Sequence, residues 1–224
     1  MNVIITGATG MIGKGLLLEC LDDQRVGSII LVTRNSVGVV HEKIKEFILK
    51  DFNNPESISN ELAGYDAVFF CLGVSAGGMN EASYSKITYD YTISFAKAYL
   101  SKNPNGQFIY VSGKGTDSTE KGRMMWARVK GKTENELLNL PFQKAYMFRP
   151  GIIRPLKGIK SRTPLYRFLY IIITPFWPLF KWMMGKNLTD TTRIGKAMIN
   201  VIAFGSEKKY FENKDINLLA EASQ

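Results

Sequence analysis

With 224 residues, the chain has room for one well-buried core, or for one nucleotide-binding unit with a small appendage, and nothing in its length requires two domains. A composition of 45% hydrophobic and 22% charged residues, without repeats or low-complexity tracts, argues against a disordered or fibrous protein. Twenty-nine basic residues against twenty acidic ones give a formal charge of +9, which favours anionic partners but does not choose among phosphorylated ligands, nucleic acid and membranes.

The chain opens on MNVIITGATGMIGKGLL. Val3, Ile4 and Ile5 read as a buried strand at 2–6, and apolar residues then recur at helical intervals from Met11 to about residue 22. Gly7, Gly10 and Gly13 therefore stand at a strand-to-helix junction, where a dinucleotide fingerprint has to be. Gly7 suits the tight turn, Gly10 lets the backbone approach a diphosphate, and Gly13 lets the helix pack on the sheet. Unpaired amides around Thr9, Gly10, Met11 and Ile12, at the positive end of the helix, would meet the phosphates.

A second strand follows at 28–33. It ends in LVTRN, where an acid would accept hydrogen bonds from the adenosine ribose of NAD. Here Arg34 reverses the charge and no acid occurs from Ile29 to Glu42, so a 2′-phosphate and the cofactor NADP(H) are expected. The alternatives for Arg34 are a solvated loop residue or one stacked on adenine. Lys14 and Arg25 are less well placed. A short third strand near 46–50 leads to Asp51 and Phe52, where a carboxylate can meet the adenine amino group while the backbone reads the ring edge.

DAVFFCLG supplies a fourth strand at 66–71, and Cys71, Leu72 and Gly73 at its end would let the chain pass close to the cofactor. A helix over 82–101, a strand at 107–112, a helix over 122–139 and a strand at 145–149 complete the alternation. Strands alternating with helices predict an α/β fold, with a mostly parallel sheet covered by helices on both faces. TTRIGKAMINVIAF reads as one more helix, and KKYFEN as a short edge strand.

Between them, TPLYRFLYIIITPFWPLFKWMM at 163–184 is apolar but broken by Pro175 and Pro178. Only thirteen residues separate Arg167 from Lys181, too few for a membrane span of about 20 residues. Within a variable segment at 155–190 this stretch would cover a pocket, form a dimer surface, or make peripheral membrane contact. The two cysteines, Cys20 and Cys71, form no disulfide framework, and no signal peptide precedes the first strand, so the cytoplasm is the expected compartment. His41 has no acidic or thiolate cluster near it, so no metal is expected.

With TGATGMIG, LVTR, CLG, YVSGKG, WARVKGKTE and RPG in place, the chain resembles the short-chain dehydrogenase/reductase superfamily. The glycine pattern is similar to its extended and atypical branches, close to sugar-epimerase-like or Tat-interacting oxidoreductase-like proteins. The resemblance implies one three-layer Rossmann domain over 1–224, with a small C-terminal helical region on the substrate side. In that superfamily a tyrosine moves the alcohol proton, a lysine four residues later lowers its pKa and holds the nicotinamide ribose, and an upstream serine orients the carbonyl oxygen. Lys130 matches the lysine and Ser112 is the nearest match to the serine, but the tyrosine position is Trp126. An indole N–H donates a hydrogen bond yet cannot shuttle a proton.

Tyr89 and Tyr91 are candidates to replace the phenol in space. The resemblance also places Pro150, Gly151, Ile152 and Ile153 beside the nicotinamide carboxamide, and Arg154 near an anionic substrate or in solvent. The expected function is thus an NADP(H)-binding oxidoreductase-like protein, with carbonyl/alcohol hydride transfer on a small-molecule substrate and an incomplete catalytic motif. A non-catalytic dinucleotide sensor is the alternative, and a sugar-nucleotide epimerase or dehydratase the weakest reading. No nucleic acid is expected as partner, since no basic-aromatic array accompanies the charge. Either a monomer or a homodimer would fit.

Overall fold

The computed structural model of the protein describes residues 1–159 and 185–222. In chain order the strands are β1 (Asn2–Thr6), β2 (Ser28–Thr33), β3 (Ile44–Ile48), β4 (Ala67–Phe70), β5 (Gln107–Val111), β6 (Lys144–Arg149), β7 (Ile152–Arg154), β8 (Leu188–Asp190) and β9 (Tyr210–Glu212). The helices are α1 (Met11–Asp22), α2 (Glu81–Ser85), α3 (Tyr91–Lys102), α4 (Met125–Asn139), α5 (Thr191–Phe204) and α6 (Asn213–Glu221). Seven strands pair in parallel in the order β3-β2-β1-β4-β5-β6-β9, while β7 and β8 pair separately. The strand order reverses between β1 and β4, and in open α/β sheets that is where a crevice forms at the carboxyl ends of the strands.

A parallel sheet must be buried on both faces, so its central strands are apolar without interruption. NVIIT, SIILVT and AVFF meet that demand, and the period of two sorts their side chains. Val3, Ile5, Ile29, Leu31 and Phe69 face α1 and α5, whereas Ile4, Ile30, Val32, Val68 and Phe70 face α3. On the first face α1 and α5 approach closely because small residues sit at the crossing. A Cβ built on Gly15 would lie 2.8 Å from the Thr191 Cβ, and one on Gly195 would lie 2.7 Å from the Glu19 Cγ. Lys157 then ties the chain after β7 to α1 through Glu19 (2.9 Å) and Asp22 (2.8 Å).

The expected helix over 82–101 is three pieces, α2 and α3 joined by a π-helical turn at Lys86–Asp90. The third strand begins earlier than expected, at Ile44, and α4 starts at Met125 rather than 122. The β7–β8 ladder and α6 were not anticipated: three-residue strands carry no readable period, and α6 is only nine residues long. The apolar stretch 163–184, and with it the readings of a pocket cover, dimer surface or membrane patch, lies outside the described residues. Among the described residues no helix is long and apolar enough to cross a membrane, and no group of three metal-ligating side chains occurs.

The helix carrying Trp126 and Lys130 is seated by Gly131. A Cβ at Gly131 would lie 1.8 Å from the Asp117 carbonyl oxygen, a backbone atom that cannot move aside alone. Gly131→Ala is therefore expected to destabilise the protein by about 1–3 kcal/mol despite the better helix propensity of alanine. Urea unfolding would show this as a lowered midpoint with unchanged slope.

Candidate dinucleotide site

At Gly7 the backbone turns with φ +69°, a conformation open to glycine, and a Cβ there would lie 2.5 Å from the Cys71 carbonyl oxygen. Gly13 is as constrained, since its Cβ would lie 2.3 Å from the Gly7 oxygen. Gly10 differs. Its φ is −82° and its built Cβ meets only Gly7 O, at 3.2 Å, within 4 Å. Gly10 is the N-cap of α1 without a side-chain cap bond, so the first-turn N–H groups of Met11, Ile12 and Gly13 are left to an external acceptor. This cradle fits a diphosphate.

Two cavities open from it and share Gly10, Cys71, Leu72 and Gly73. The smaller, of about 160 Å³, runs along Thr33, Arg34, Asn35 and Ser36, and Gly7 and Thr9 close it. The larger, of about 720 Å³, passes Met11 and Ile12 to Ser112, Gly113, Lys114, Trp126, Lys130, Pro150 and Gly151. Most residues expected in the site thus border one groove. Gly13, Phe52, Asp51 and Ile153 do not. Phe52, in the turn that follows β3, is fully buried and packs on Phe70, Tyr91 and Phe95 on the α3 side of the sheet. Asp51 is exposed and accepts a hydrogen bond from the Asn53 amide in its own turn, and Ile153 points into the core on the α1 side.

Around Arg34 the structure adds two residues that the sequence reading missed. Lys50 Nζ donates to the Arg34 carbonyl oxygen (2.8 Å) and to Asn35 Oδ1 (3.3 Å), which brings a second cation to the loop after β2. Glu46 accepts from Ser36 Oγ (2.6 Å) and the Val37 amide (2.7 Å). An acid does reach this loop, then, from the neighbouring strand, and its oxygens are held by loop donors. The β2–β3 register, which sets Leu31 beside Glu46, was the information needed to see it.

At the other end, Ser112 is buried and its Oγ donates to Glu134 Oε1 at 2.5 Å, away from the groove. Glu134 is fully buried and pairs with Arg149, whose Nε lies 3.0 and 3.2 Å from the two carboxylate oxygens; Arg149 Nη2 also bonds Glu134 and reaches Ser118 Oγ at 2.6 Å. Glu134 holds the Arg149 guanidinium above its ordinary pKa. The serine hydroxyl expected to orient a substrate oxygen is instead a ligand of this ion pair. Lys130, half-buried on the groove wall, donates to the Ser112 carbonyl oxygen. Burial pushes its pKa down to about 8, against a smaller upward pull from Glu134.

Tyr89 and Tyr91 are not in the groove. Lys132 Nζ lies 4.3 Å over the Tyr89 ring, and Tyr91 stacks on Phe52. The tyrosine that does line it is Tyr84 of α2, almost fully buried, with its pKa raised by that burial and the Thr88 hydroxyl opposing. Pro150 and Gly151 are held by their main chain: Lys114 N donates to Pro150 O (2.9 Å), and Asn213 Oδ1 accepts from Gly151 N (2.9 Å). Arg154 stands opposite Asp190 in the β7–β8 ladder.

A family model described as NAD(P)H-binding matches residues 7–138, more than half of the chain. The mitochondrial FMP52-2 protein of Scheffersomyces stipitis is 30% identical over 155 residues, covering 68% of this chain and 66% of that protein. The HTATIP2 protein of Rattus norvegicus is 27% identical over 158 residues, covering 68% and 62%. The chain thus spans just under two thirds of the length of these relatives. Among solved structures, the Bordetella bronchiseptica enzyme WbmF in complex with NAD+ superposes with a TM-score of 0.69 at 14% identity, over 98% of this chain and 76% of WbmF. The expectation of a cytoplasmic location is corrected by these findings, since the matched FMP52 proteins are designated mitochondrial. Unpaired thiols fit any reducing compartment and never singled out the cytoplasm.

The buried pair gives a test of the site's framework. Arg149→Met leaves the Glu134 carboxylate without its counter-ion and is expected to destabilise the fold by about 3–5 kcal/mol. Arg149→Met with Glu134→Gln removes the stranded charge and should recover part of that loss, which urea denaturation of both variants measures.

Proposed function

Because the chain belongs to the NAD(P)H-binding family and carries the extended short-chain dehydrogenase/reductase fold, we propose that it binds NADP(H) along this groove and exchanges hydride with a small carbonyl or alcohol substrate at the Lys130 end. The observation that carries the reading is the continuity of the groove, from Arg34 through the Gly7–Gly13 turn to Lys130. The α1 amides and the helix dipole would hold the diphosphate. Arg34, with Lys50 beside it, supplies the charge for a 2′-phosphate, and Glu46 is occupied by Ser36 and Val37. Lys130 would reach the nicotinamide ribose, and the fixed main chain at Pro150 and Gly151 would face the carboxamide. The bound cofactor supplies the hydride, and the chain supplies its placement and the exclusion of water.

A second reading draws on a specific observation. Trp126 stands in the tyrosine position and the Ser112 hydroxyl is turned to Glu134, so binding is served better than proton transfer. That favours a dinucleotide sensor. Sustained NADPH oxidation by any carbonyl compound, abolished by mutation of the groove, decides against it.

The cofactor preference is tested by calorimetry of Arg34→Ala. A charge-assisted hydrogen bond to a phosphate contributes about 1.5–3 kcal/mol, so NADPH is expected to bind about 10- to 100-fold more weakly while NADH affinity changes little. Equal loss for both cofactors would make Arg34 a general scaffold residue, and no change would remove it from the site.

A further inference from the structure

Proton delivery lacks its expected side chain, since α4 offers no phenol at Trp126 and Tyr84, which also lines the groove, has its pKa raised by burial. The Trp126 indole does not ionise, and Ser112 gives its hydroxyl hydrogen to Glu134. The residue of this stretch that turns its Cα to the groove is Gly113. A Cβ built there would lie 4.0 Å from Lys130 Nζ and 3.9 Å from the Pro150 oxygen. At Gly113 the wall in front of the Lys130 ammonium therefore carries no side chain. Lys130 itself is anchored by one donated bond to the Ser112 carbonyl oxygen, which leaves further N–H donors for the groove.

We propose that the Lys130 ammonium is itself the proton donor to the substrate carbonyl oxygen, in the place of the phenol that Trp126 replaces. The inference rests on the reductase reading above. The carbonyl carbon accepts hydride, with its electron pair, from the reduced nicotinamide; the C=O π pair takes the Lys130 proton to form the O–H bond. Lysine is left as the neutral amine and regains a proton from water. An acid of this kind works best with a pKa near the operating pH, and burial brings Lys130 to about 8. An exposed lysine would hold its proton too tightly.

The groups around Lys130 set its titration. Glu134, one turn on in α4, is paired with Arg149 of β6. Tyr84 of α2 and Tyr110 of β5 both have pKa values raised by burial, so they stay neutral where Lys130 titrates. Lys114 follows β5 on the same wall. The ammonium is present below about pH 8 and lost above it, so proton donation fades as pH rises through that value.

Two measurements on the full chain test this. In the first, acetic anhydride labels the lysines across a pH series and peptide mass spectrometry reads each one. Lys130 is expected to become reactive near pH 8, clearly below the range of an ordinary lysine side chain at about 10.4, and to be protected by NADP+. In the second, NADPH oxidation is followed with 4-nitrobenzaldehyde and 2,3-butanedione at saturating NADPH. Turnover should fall as pH rises through 8, and Lys130→Arg and Lys130→Met should each lose about 100-fold or more, since a guanidinium keeps the charge but does not release its proton. The pH dependence should persist in Tyr84→Phe.

Turnover retained in Lys130→Arg, a pH dependence that vanishes in Tyr84→Phe, or a Lys130 that labels only in the ordinary lysine range overturns the proposal. NADPH binding without oxidation by either probe also overturns it and leaves dinucleotide binding standing. Absence of NADPH binding overturns the proposed function itself.

Discussion

Backbone against backbone at Gly7 is the contact on which the site depends. The turn after β1, the first turn of α1 and the chain leaving β4 meet there with no side chain between them, because Gly7 and Gly13 leave no Cβ in the way. The close approach has two results. It draws α1 onto the sheet so that its N-terminal amides face the crevice, and it brings Cys71, Leu72 and Gly73 to the point where the two cavities join. Gly10 then keeps the mouth open without itself being conformationally strained.

At the opposite end, a buried charge organises the wall. Glu134 is removed from water and needs partners on both oxygens, which Arg149 and Ser112 provide from β6 and the end of β5. That demand turns the Ser112 side chain inward and presents its carbonyl oxygen to Lys130. One carboxylate on α4 thus decides what the groove sees of three neighbouring residues. It also pulls the Lys130 pKa upward, against the larger lowering by burial.

The fold was legible because its signals are local. The apolar runs of β1, β2 and β4, the glycine turn and the apolar periodicity of α1 and α5 can each be read within a dozen residues. The glycine turn at one end of the groove was legible for the same reason, as Gly7, Gly10 and Gly13 act through conformation. What could not be read depends on register and side-chain direction. Phe52 was expected at adenine, but the turn after β3 directs its ring inward among Phe70, Tyr91 and Phe95. Glu46 and Lys50 are distant in sequence from the β2 loop they support, and Ser112 could not be assigned a direction until Glu134 was seen to claim its hydroxyl.

The β7–β8 ladder has a consequence of its own for how this chain tolerates change. It sets Arg154 against Asp190, and Asn213 fastens the same place by donating to Ile152 O and Asn187 O. Segments far apart in sequence, Ile152–Arg154 and Leu188–Asp190, are thereby held side by side. Closure entropy grows only with the logarithm of loop length, about 0.6 kcal/mol for each doubling. Holding two such distant segments together therefore costs little more than holding nearer ones, so the ladder tolerates changes in the number of residues between its strands with little penalty to the sheet.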